Sequence, residues 1–229
     1  MTDLSIGAAL DRLSAWLERP EARAIKASLR EPATDADLDD LRRLIAPHEL
    51  PQELVAVLRW HNGQHGDQEN TPDLLPIGQG TLKGTQDIPG SYRFLTEDFE
   101  PWQWCPLWVP IQQHRWSQSG VANVESGPSV VIEADFGDPD QRIVSSSLAA
   151  LLHAVADLAE EGMLFEPPEN GPPYQEWYRE RKRLLEKRAD EVGWEHWPHE
   201  RIMVNDEQAI NWPDGWRSAA GFGESTGGG

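Results

Sequence analysis

The sequence predicts a fold that combines helices with a sheet, in the order helices, strands, helices. Three segments before residue 62 carry apolar residues at helical spacing, residues 102 to 145 hold several β-branched or aromatic runs, and a long apolar helical stripe follows them. Apolar residues that recur every three to four positions indicate a helix with one buried face, whereas short β-branched runs between turn residues indicate strands. A chain of 229 residues has room for one domain, with or without an extension.

Two helices are predicted before residue 48. In the first, the apolar residues of Ile6–Leu17 share one face, and Pro20 ends the segment. The second begins after Thr34, whose side chain can accept a bond from the first turn. Asp37 follows three residues later, which comes close to a capping box. Pro47 ends this helix, because proline cannot continue the helical hydrogen-bond pattern.

The third helix is predicted within "ELPQELVAVLRWHNGQHG", at residues 51 to 61. Pro51 suits the first helical position, where its missing N–H has no partner to lose. Apolar residues at helical offsets give the segment a buried face that also includes His61. Asn62 and Gly63 are expected to stop the helix in the left-handed conformation.

The middle of the chain is predicted as a loop followed by a sheet. Residues 71 to 100 are rich in Gly, Pro and Asp, with short strand or helix pieces near Leu74–Ile77 and Tyr92–Leu95. A strand entered from a turn at Pro106 is predicted within residues 102 to 111, and further strands are predicted in the runs "GVANV", "SVVIEADF" and "QRIVS". The clearest helix of the chain follows, because serines at 145 to 147 offer a cap and Gly162 offers a stop.

A domain boundary is predicted at "EPPENGPP", residues 166 to 173, where the composition changes. Residues 1–165 then form the main domain, and residues 166–229 form a C-terminal extension with a charged helix at about 174–192. The extension contains a cluster of tryptophans, Trp194, Trp197, Trp212 and Trp216. We expect it to dock on the main domain, because that much free aromatic surface promotes aggregation. The last residues, "GFGESTGGG", are expected to be disordered.

The charge and the cysteine content limit the classes of partner and compartment. Acidic residues outnumber basic ones by 39 to 20, and the formal net charge is −19. Such a charge repels nucleic acid and anionic membranes, and it either favours a basic partner or only keeps the chain soluble. The single cysteine, Cys105, excludes an internal disulfide and suits a reducing cytosol. No signal peptide and no apolar run of about 18 residues is present, so we expect a cytoplasmic protein.

No catalytic or cofactor-binding pattern stands out in the sequence. His61 and His65 are four residues apart, but Asn62-Gly63 breaks the helix between them, so a metal site is not expected. The glycine-rich "GQGTLKG" lacks the ending of a phosphate-binding loop, and Cys105 lies in apolar company that keeps a thiol unreactive. We therefore expect a protein that is not an enzyme and has no cofactor, while an unrecognised catalytic site stays open.

Several motifs occur in an order that resembles one known family. A threonine-capped helix, a Leu-Pro pair, an amphipathic helix and Asn-Gly follow one another in "ATDADLDDLRRLIAPHELPQELVAVLRWHNGQHG". The segments "LWVPI" and "IVSSSLAALLHAVADLAEEG" come later. Together they resemble the SUKH superfamily, homologues of the fungal Smi/Knr-type regulators of cell-wall synthesis. In bacteria this family is common among the immunity proteins of polymorphic toxin systems. The resemblance covers residues 33 to 165.

The resemblance implies an α+β fold, with a mostly antiparallel sheet flanked by helices, and a protein that binds instead of catalysing. An acidic immunity protein can fill the basic cleft of a toxin domain and gain fast association from electrostatic steering. A regulator or scaffold of the fungal kind is the main alternative. The expected contact surface is acidic with aromatic anchors. Its candidate residues are Glu97, Asp98, Trp116, Asp135, Asp138 and Asp140.

Overall fold

The structure, a computed structural model, combines seven α-helices with a five-stranded antiparallel sheet in the residues that it describes. These residues are 5–66, 72–75, 80–99, 104, 106–113, 117–124, 127–135, 140–145, 147–165, 171–191 and 202–203. Helices flank a small sheet, so the predicted α+β class is confirmed.

Polar side chains cap the N-termini of three of the described helices. They are α1 (Ile6–Leu17), α2 (Arg23–Ser28), α3 (Asp35–Ile45), α4 (Gln52–Trp60), α5 (Ile88–Asp98), α6 (Leu148–Glu160) and α7 (Tyr174–Glu191). The capping box predicted for α3 is confirmed: the Asp37 amide donates to the Thr34 hydroxyl at 3.2 Å, and the Thr34 amide donates to the Asp37 carboxylate at 2.9 Å. Ser147 caps α6 in the predicted way, through the Ala150 amide.

The strands follow one another in space in the same order as in the chain. They are β1 (Val109–Gln113), β2 (Ser117–Val124), β3 (Gly127–Asp135), β4 (Asp140–Ser145) and β5 (Ile202–Met203). Each strand pairs antiparallel with the next. Val109 of β1 is aligned with Val121 of β2, which is aligned with Val131 of β3. This row of side chains belongs to the same apolar core as the helices.

The central strand β3 is buried on both of its faces. Val131 lies in the core shared with the helices, and its neighbours Val130 and Ile132, which point to the opposite face, are also fully buried. On that second face Gly120 is aligned with Ile132, and the Trp104 ring lies directly over Gly120. The sheet is therefore a middle layer, since neither face of its central strand is open to solvent.

The helix α6 is the centre of the helical layer. Eleven of its 13 residues are buried, and α1, α4, α7 and strands β3 and β4 all contact it. Gly162 ends the helix with a φ of +70°, and the Met163 amide donates to the Leu158 carbonyl at 2.7 Å. The predicted glycine stop is thus confirmed.

The structure extends two predictions about the middle of the chain. The short strand or helix piece predicted near Tyr92–Leu95, within a region otherwise predicted as a loop, is part of α5, an 11-residue helix. Its Gly, Pro and Asp content hid a stripe of buried residues at offsets of four and seven, Ile88, Tyr92 and Leu95. The turn predicted at Pro106, from which the strand within residues 102 to 111 is entered, is confirmed: Pro106 and Leu107 form a turn, and the strand begins at Val109.

The third helix also differs from the prediction at both ends. Pro51 is the N-cap residue, and the first helical residue is Gln52. The helix ends at Trp60, and His61 is already extended, so Asn62-Gly63 does not supply the stop. Gly63 does have a positive φ, of +78°, but its function is to bring the chain against another segment.

The C-terminal extension begins with a helix that packs on the main domain. The predicted helix is observed as α7, and it contacts α6. Trp177 is buried, and Leu184 packs partly buried against the core. The four tryptophans after residue 192 and the terminal "GFGESTGGG" lie outside the described residues.

Candidate partner-binding surface

His61 and His65, which follow α4, both contact Arg30. The Nδ1 atom of His61 is 2.8 Å from the backbone oxygen of Arg30, and the His61 ring meets Trp60 edge to face. His65 accepts a long bond of 3.5 Å from the Arg30 side chain. Over the described part of the chain, no group of three or more His, Cys, Asp or Glu side chains is arranged to hold a metal ion. Both histidines therefore help to attach the segment after α4 to Arg30.

The predicted acidic residues occupy two separate places. Asp135 is the last residue of β3 and Asp140 is the first residue of β4, so the strand order brings both to one end of the sheet. Glu97 and Asp98 form the last turn of α5. Among the described contacts of α5, the Tyr92 hydroxyl donates to the carbonyl of Pro106, which precedes β1 at the other end of the sheet. Trp116 and Asp138 lie outside the described residues.

Glu97 and Asp98 belong to an exposed face of α5 that also carries an aromatic side chain. The helix buries Ile88, Tyr92 and Leu95 on one side. The opposite side is exposed, and its residues are spaced three or four apart, namely Gly90, Arg93, Phe94, Glu97 and Asp98. Phe94 is 45% exposed, which is unusual for a phenylalanine in a globular domain.

A second phenylalanine extends this surface. Phe99 follows the helix and is half-buried, and its ring meets that of Phe94 edge to face with centroids 5.3 Å apart. The contact holds Phe94 at the surface in one orientation, which reduces the entropy that binding would cost. We call Phe94, Glu97, Asp98 and Phe99 the α5 patch. Sequence reasoning missed both rings, because they become neighbours only once residues 88 to 98 are recognised as a helix.

The two carboxylates of the α5 patch have no partner of opposite charge among the residues that the structure describes. Within the described residues, neither Glu97 nor Asp98 forms an ion pair or a hydrogen bond through its side chain. Both also lie in the last turn of a helix, where the macrodipole is negative and a cation is the stabilising group. Arg93, one turn earlier, is the only basic residue on this helix. The patch therefore combines negative potential with an exposed ring, at a cost to the stability of α5.

Acidic residues on α3 provide a contrast. Asp39 bonds to Arg42 at 2.7 Å, Asp40 pairs with Arg43, and Asp35 bonds to Arg59 of α4 at 2.7 Å. Each of these exposed carboxylates has a cation of its own. Exposure and negative charge are therefore common on this protein, and the α5 patch differs from α3 because its two carboxylates have no such cation among the described residues.

A groove beside α7 is the other surface feature of note. It has a volume of about 450 Å³, and its lining residues are Met163, Pro172, Glu176, Trp177, Arg179, Glu180 and Arg183. Glu180 and Arg183 form an ion pair within the groove, which holds the pKa of Glu180 below its usual range. Its charges are mixed in sign and partly paired, so the groove favours neither a cationic nor an anionic partner.

The segment before α5 is fixed to the helical layer by Gln64. This side chain is buried and uses all of its bonding positions. Its amide group donates to the Ser28 hydroxyl and the Pro72 carbonyl, and its oxygen accepts from the amides of Leu74 and Leu82. The chain that leads into α5 therefore has a defined position.

The comparisons with known proteins add no assignment. No protein-family model matches the chain, and no curated protein matches it. In the part of the chain that the structure describes, no helix is both long enough and apolar enough to cross a bilayer.

Proposed function

We propose that this chain is a cytoplasmic, non-enzymatic binding protein that neutralises a basic bacterial toxin domain through the α5 patch. The observation that carries the proposal is the uncompensated pair Glu97 and Asp98 beside the exposed Phe94 ring. A protein that needs only its own stability gains nothing from two carboxylates at the negative end of a helix. A cationic partner would remove this unfavourable interaction on binding.

The overall charge supports a basic partner. The net charge of −19 spreads a negative potential over the molecule, which accelerates the encounter with a positively charged protein. Toxin domains that cleave nucleic acid present a basic surface to the phosphate backbone, and an acidic protein can occupy that surface. The association rate is then expected to fall as ionic strength rises.

The aromatic part of the α5 patch supports a specific contact beyond general charge attraction. Exposed, pre-oriented aromatic residues are common among the few residues that carry most of an interface's binding free energy. Phe94 is held by Phe99 at the surface, so it can enter an apolar recess with little loss of conformational entropy. A positively charged side chain of the partner can also stack on the ring.

The immunity function comes from the resemblance to the SUKH superfamily. The motifs that carry it include Asn62-Gly63 and the Ser147-capped α6, and an α+β fold with an antiparallel sheet is what the resemblance implies. A regulator or scaffold of the Smi/Knr type would use the same fold. The two functions are therefore distinguished by which partner the protein binds.

Co-expression with the C-terminal domain of a toxin encoded beside this chain tests the proposal. We expect the chain to restore growth and to form a complex with the domain on gel filtration. Replacing Glu97 and Asp98 by their amides, or Phe94 by Ala, is expected to weaken binding by about tenfold or more, the loss typical of a central interface residue.

A matched control uses the paired acids of α3. The double variant Asp39→Asn with Asp40→Asn removes the same two charges from another exposed helix, and we expect it to bind nearly as well as the original chain. Equal losses in both double variants would show that net charge, and not the α5 patch, determines binding. No growth rescue and no complex would reject the immunity function and favour the regulator.

A further inference from the structure

We infer that Arg30 and Asp87 are positioning residues that hold α5, and with it the α5 patch, in its binding orientation. The inference rests on the proposed function for its consequence in binding, but the positioning itself is a property of the free protein. Arg30 lies between α2 and α3, and Asp87 immediately precedes α5.

Asp87 occupies the N-cap position of α5 without capping the helix. Its side chain makes no bond to the first turn of α5, in contrast to Thr34 on α3 and Ser147 on α6. The Asp87 carboxylate instead accepts from the Gly84 amide at 3.0 Å and pairs with the Arg30 guanidinium. A good capping residue is thus used to attach the helix to a distant part of the chain.

Arg30 is itself firmly placed. Its amide donates to the Gly63 carbonyl at 3.0 Å, and its own carbonyl is bonded by His61 at 2.8 Å. Its side chain is only 15% exposed, so the ion pair with Asp87 is partly shielded from water. An ion pair of this kind is stronger than one between fully exposed groups.

A second contact parallels the ion pair. The Asn62 side chain bonds twice to Thr85: it donates to the Thr85 hydroxyl at 2.8 Å and accepts from the Thr85 amide at 2.7 Å. Both contacts hold the N-terminal end of α5. We call the set Arg30, Asn62, Thr85 and Asp87 the α5 tether.

The rest of α5 is held through its buried side. Three of its residues are buried, and the Tyr92 hydroxyl bonds to Pro106. The α5 tether fixes the first turn and the buried side fixes the rotation of the helix, so together they set the direction in which Phe94, Glu97 and Asp98 point.

Hydrogen exchange followed by mass spectrometry tests the positioning in the full chain. The variants Arg30→Gln and Asp87→Asn are expected to exchange the amides of residues 88–98 about tenfold faster or more, because a charged hydrogen bond is lost. Amides of α6 are expected to exchange at the original rate. Arg30→Lys keeps the charge and should restore part of the protection. Arg59→Gln, which removes an exposed ion pair elsewhere, should leave α5 unchanged.

Two exchange results would overturn the inference. Unchanged protection of α5 in both variants would show that the tether does not hold the helix. Equal acceleration in α6 would show that the two residues support the whole fold and not α5 in particular.

Binding of the toxin domain provides the second measurement. Arg30→Gln is expected to speed dissociation and lower affinity about tenfold while the association rate changes little, because the charges of the patch remain. Unchanged affinity in a variant with a mobilised α5 would overturn the link to binding. If the original chain binds no toxin, the proposed function fails, and the exchange measurement still decides whether the tether positions α5.

Discussion

Gly63 and Gly84 meet backbone to backbone, in a contact that leaves no room for a side chain on either residue. A Cβ on Gly63 would lie 2.3 Å from the Gly84 nitrogen, and a Cβ on Gly84 would lie 2.1 Å from the Asn62 carbonyl oxygen. Gly63 also has a φ of +78°, which L side chains rarely adopt. The Asn62-Gly63 pair therefore joins α4 to the segment before α5.

The variant Gly63→Ala is expected to lose about 2–4 kcal/mol of unfolding free energy, because backbone strain and steric overlap act together. Urea denaturation measures the loss. Gly162→Ala is the matched control, since Gly162 has a φ of +70° but open space around it, and it should lose only the strain of about 1–2 kcal/mol. Equal losses at the two positions would contradict a tight contact between Gly63 and Gly84.

Changing the acids of the α5 patch to lysine is expected to stabilise the protein while it weakens binding. Glu97→Lys and Asp98→Lys each replace an unfavourable charge at the negative end of α5. Each should raise the free energy of unfolding by about 0.3–1 kcal/mol at low salt. Thermal unfolding at low and high ionic strength measures the gain, which should shrink with added salt. A loss of stability would mean that the carboxylates make favourable local interactions.

Glu53 is expected to make stability depend on pH in the acid range. Burial raises the pKa of its carboxyl above the ordinary value of 4.5, although the amides of Leu148 and Ala149 at the start of α6 oppose the shift. A carboxyl group whose pKa is higher in the folded state than in the unfolded state stabilises the fold most at pH values below its unfolded pKa. This contribution is lost as the pH rises through the folded pKa.

The variant Glu53→Gln stays uncharged and keeps an oxygen for the α6 amides. Its stability relative to the original chain should therefore increase as pH rises from about 4 towards neutral. Denaturation curves at several pH values compare the two proteins. A constant difference across this range would show that the carboxyl titrates alike in the folded and unfolded states.

Arg12 is expected to contribute more to stability than the exposed arginines. It joins α1 to α6 by bonding to Asp157 and Glu160, each at 2.6 Å. These bonds, that to Glu160 first, hold the Arg12 pKa above its ordinary value. Arg12→Leu should lose about 1.5–3 kcal/mol, because the poorly exposed Asp157 then loses its charged bond to Arg12.

Arg42→Leu is the control for Arg12, because its ion pair with Asp39 is exposed and lies within one helix. This change should alter stability by less than about 1 kcal/mol. Chemical denaturation of both variants makes the comparison. Similar effects for Arg12 and Arg42 would refute a special contribution from the contact between α1 and α6.

Removing the C-terminal extension is expected to reduce solubility. Deletion of residues 167–229 takes away α7 and uncovers the apolar surface that Trp177 and Leu184 protect on the main domain. Deletion of 204–229 alone keeps α7 and should remain soluble. Light scattering of the purified proteins distinguishes them. A monomeric, soluble 1–166 fragment would contradict the expectation.

Elements with a local sequence pattern were predictable, and those that depend on distant contacts were not. The capping box of Thr34 and Asp37 and the glycine stop at Gly162 need only neighbouring residues, and the structure has both. The helix α5 carries Pro89 and Gly90, so its low intrinsic propensity is overcome by burial of Tyr92 and Leu95, which sequence alone does not show.

The same distinction applies to the site. Glu97 and Asp98 were selected for their charge, which the sequence displays, but their aromatic neighbours were not, because helical register determines that proximity. The ion pair between Arg30 and Asp87 joins residues 57 positions apart. No local pattern indicates such a contact.

The burial of α6 has a consequence for how this protein can change over generations. Eleven of its 13 side chains are enclosed by other elements, so nearly every substitution there would disturb packing. The outward residues of α5 touch little of the fold, and they can be exchanged at small risk to folding. Under the proposed function, the α5 patch can therefore vary to match a changing toxin while the interior stays the same.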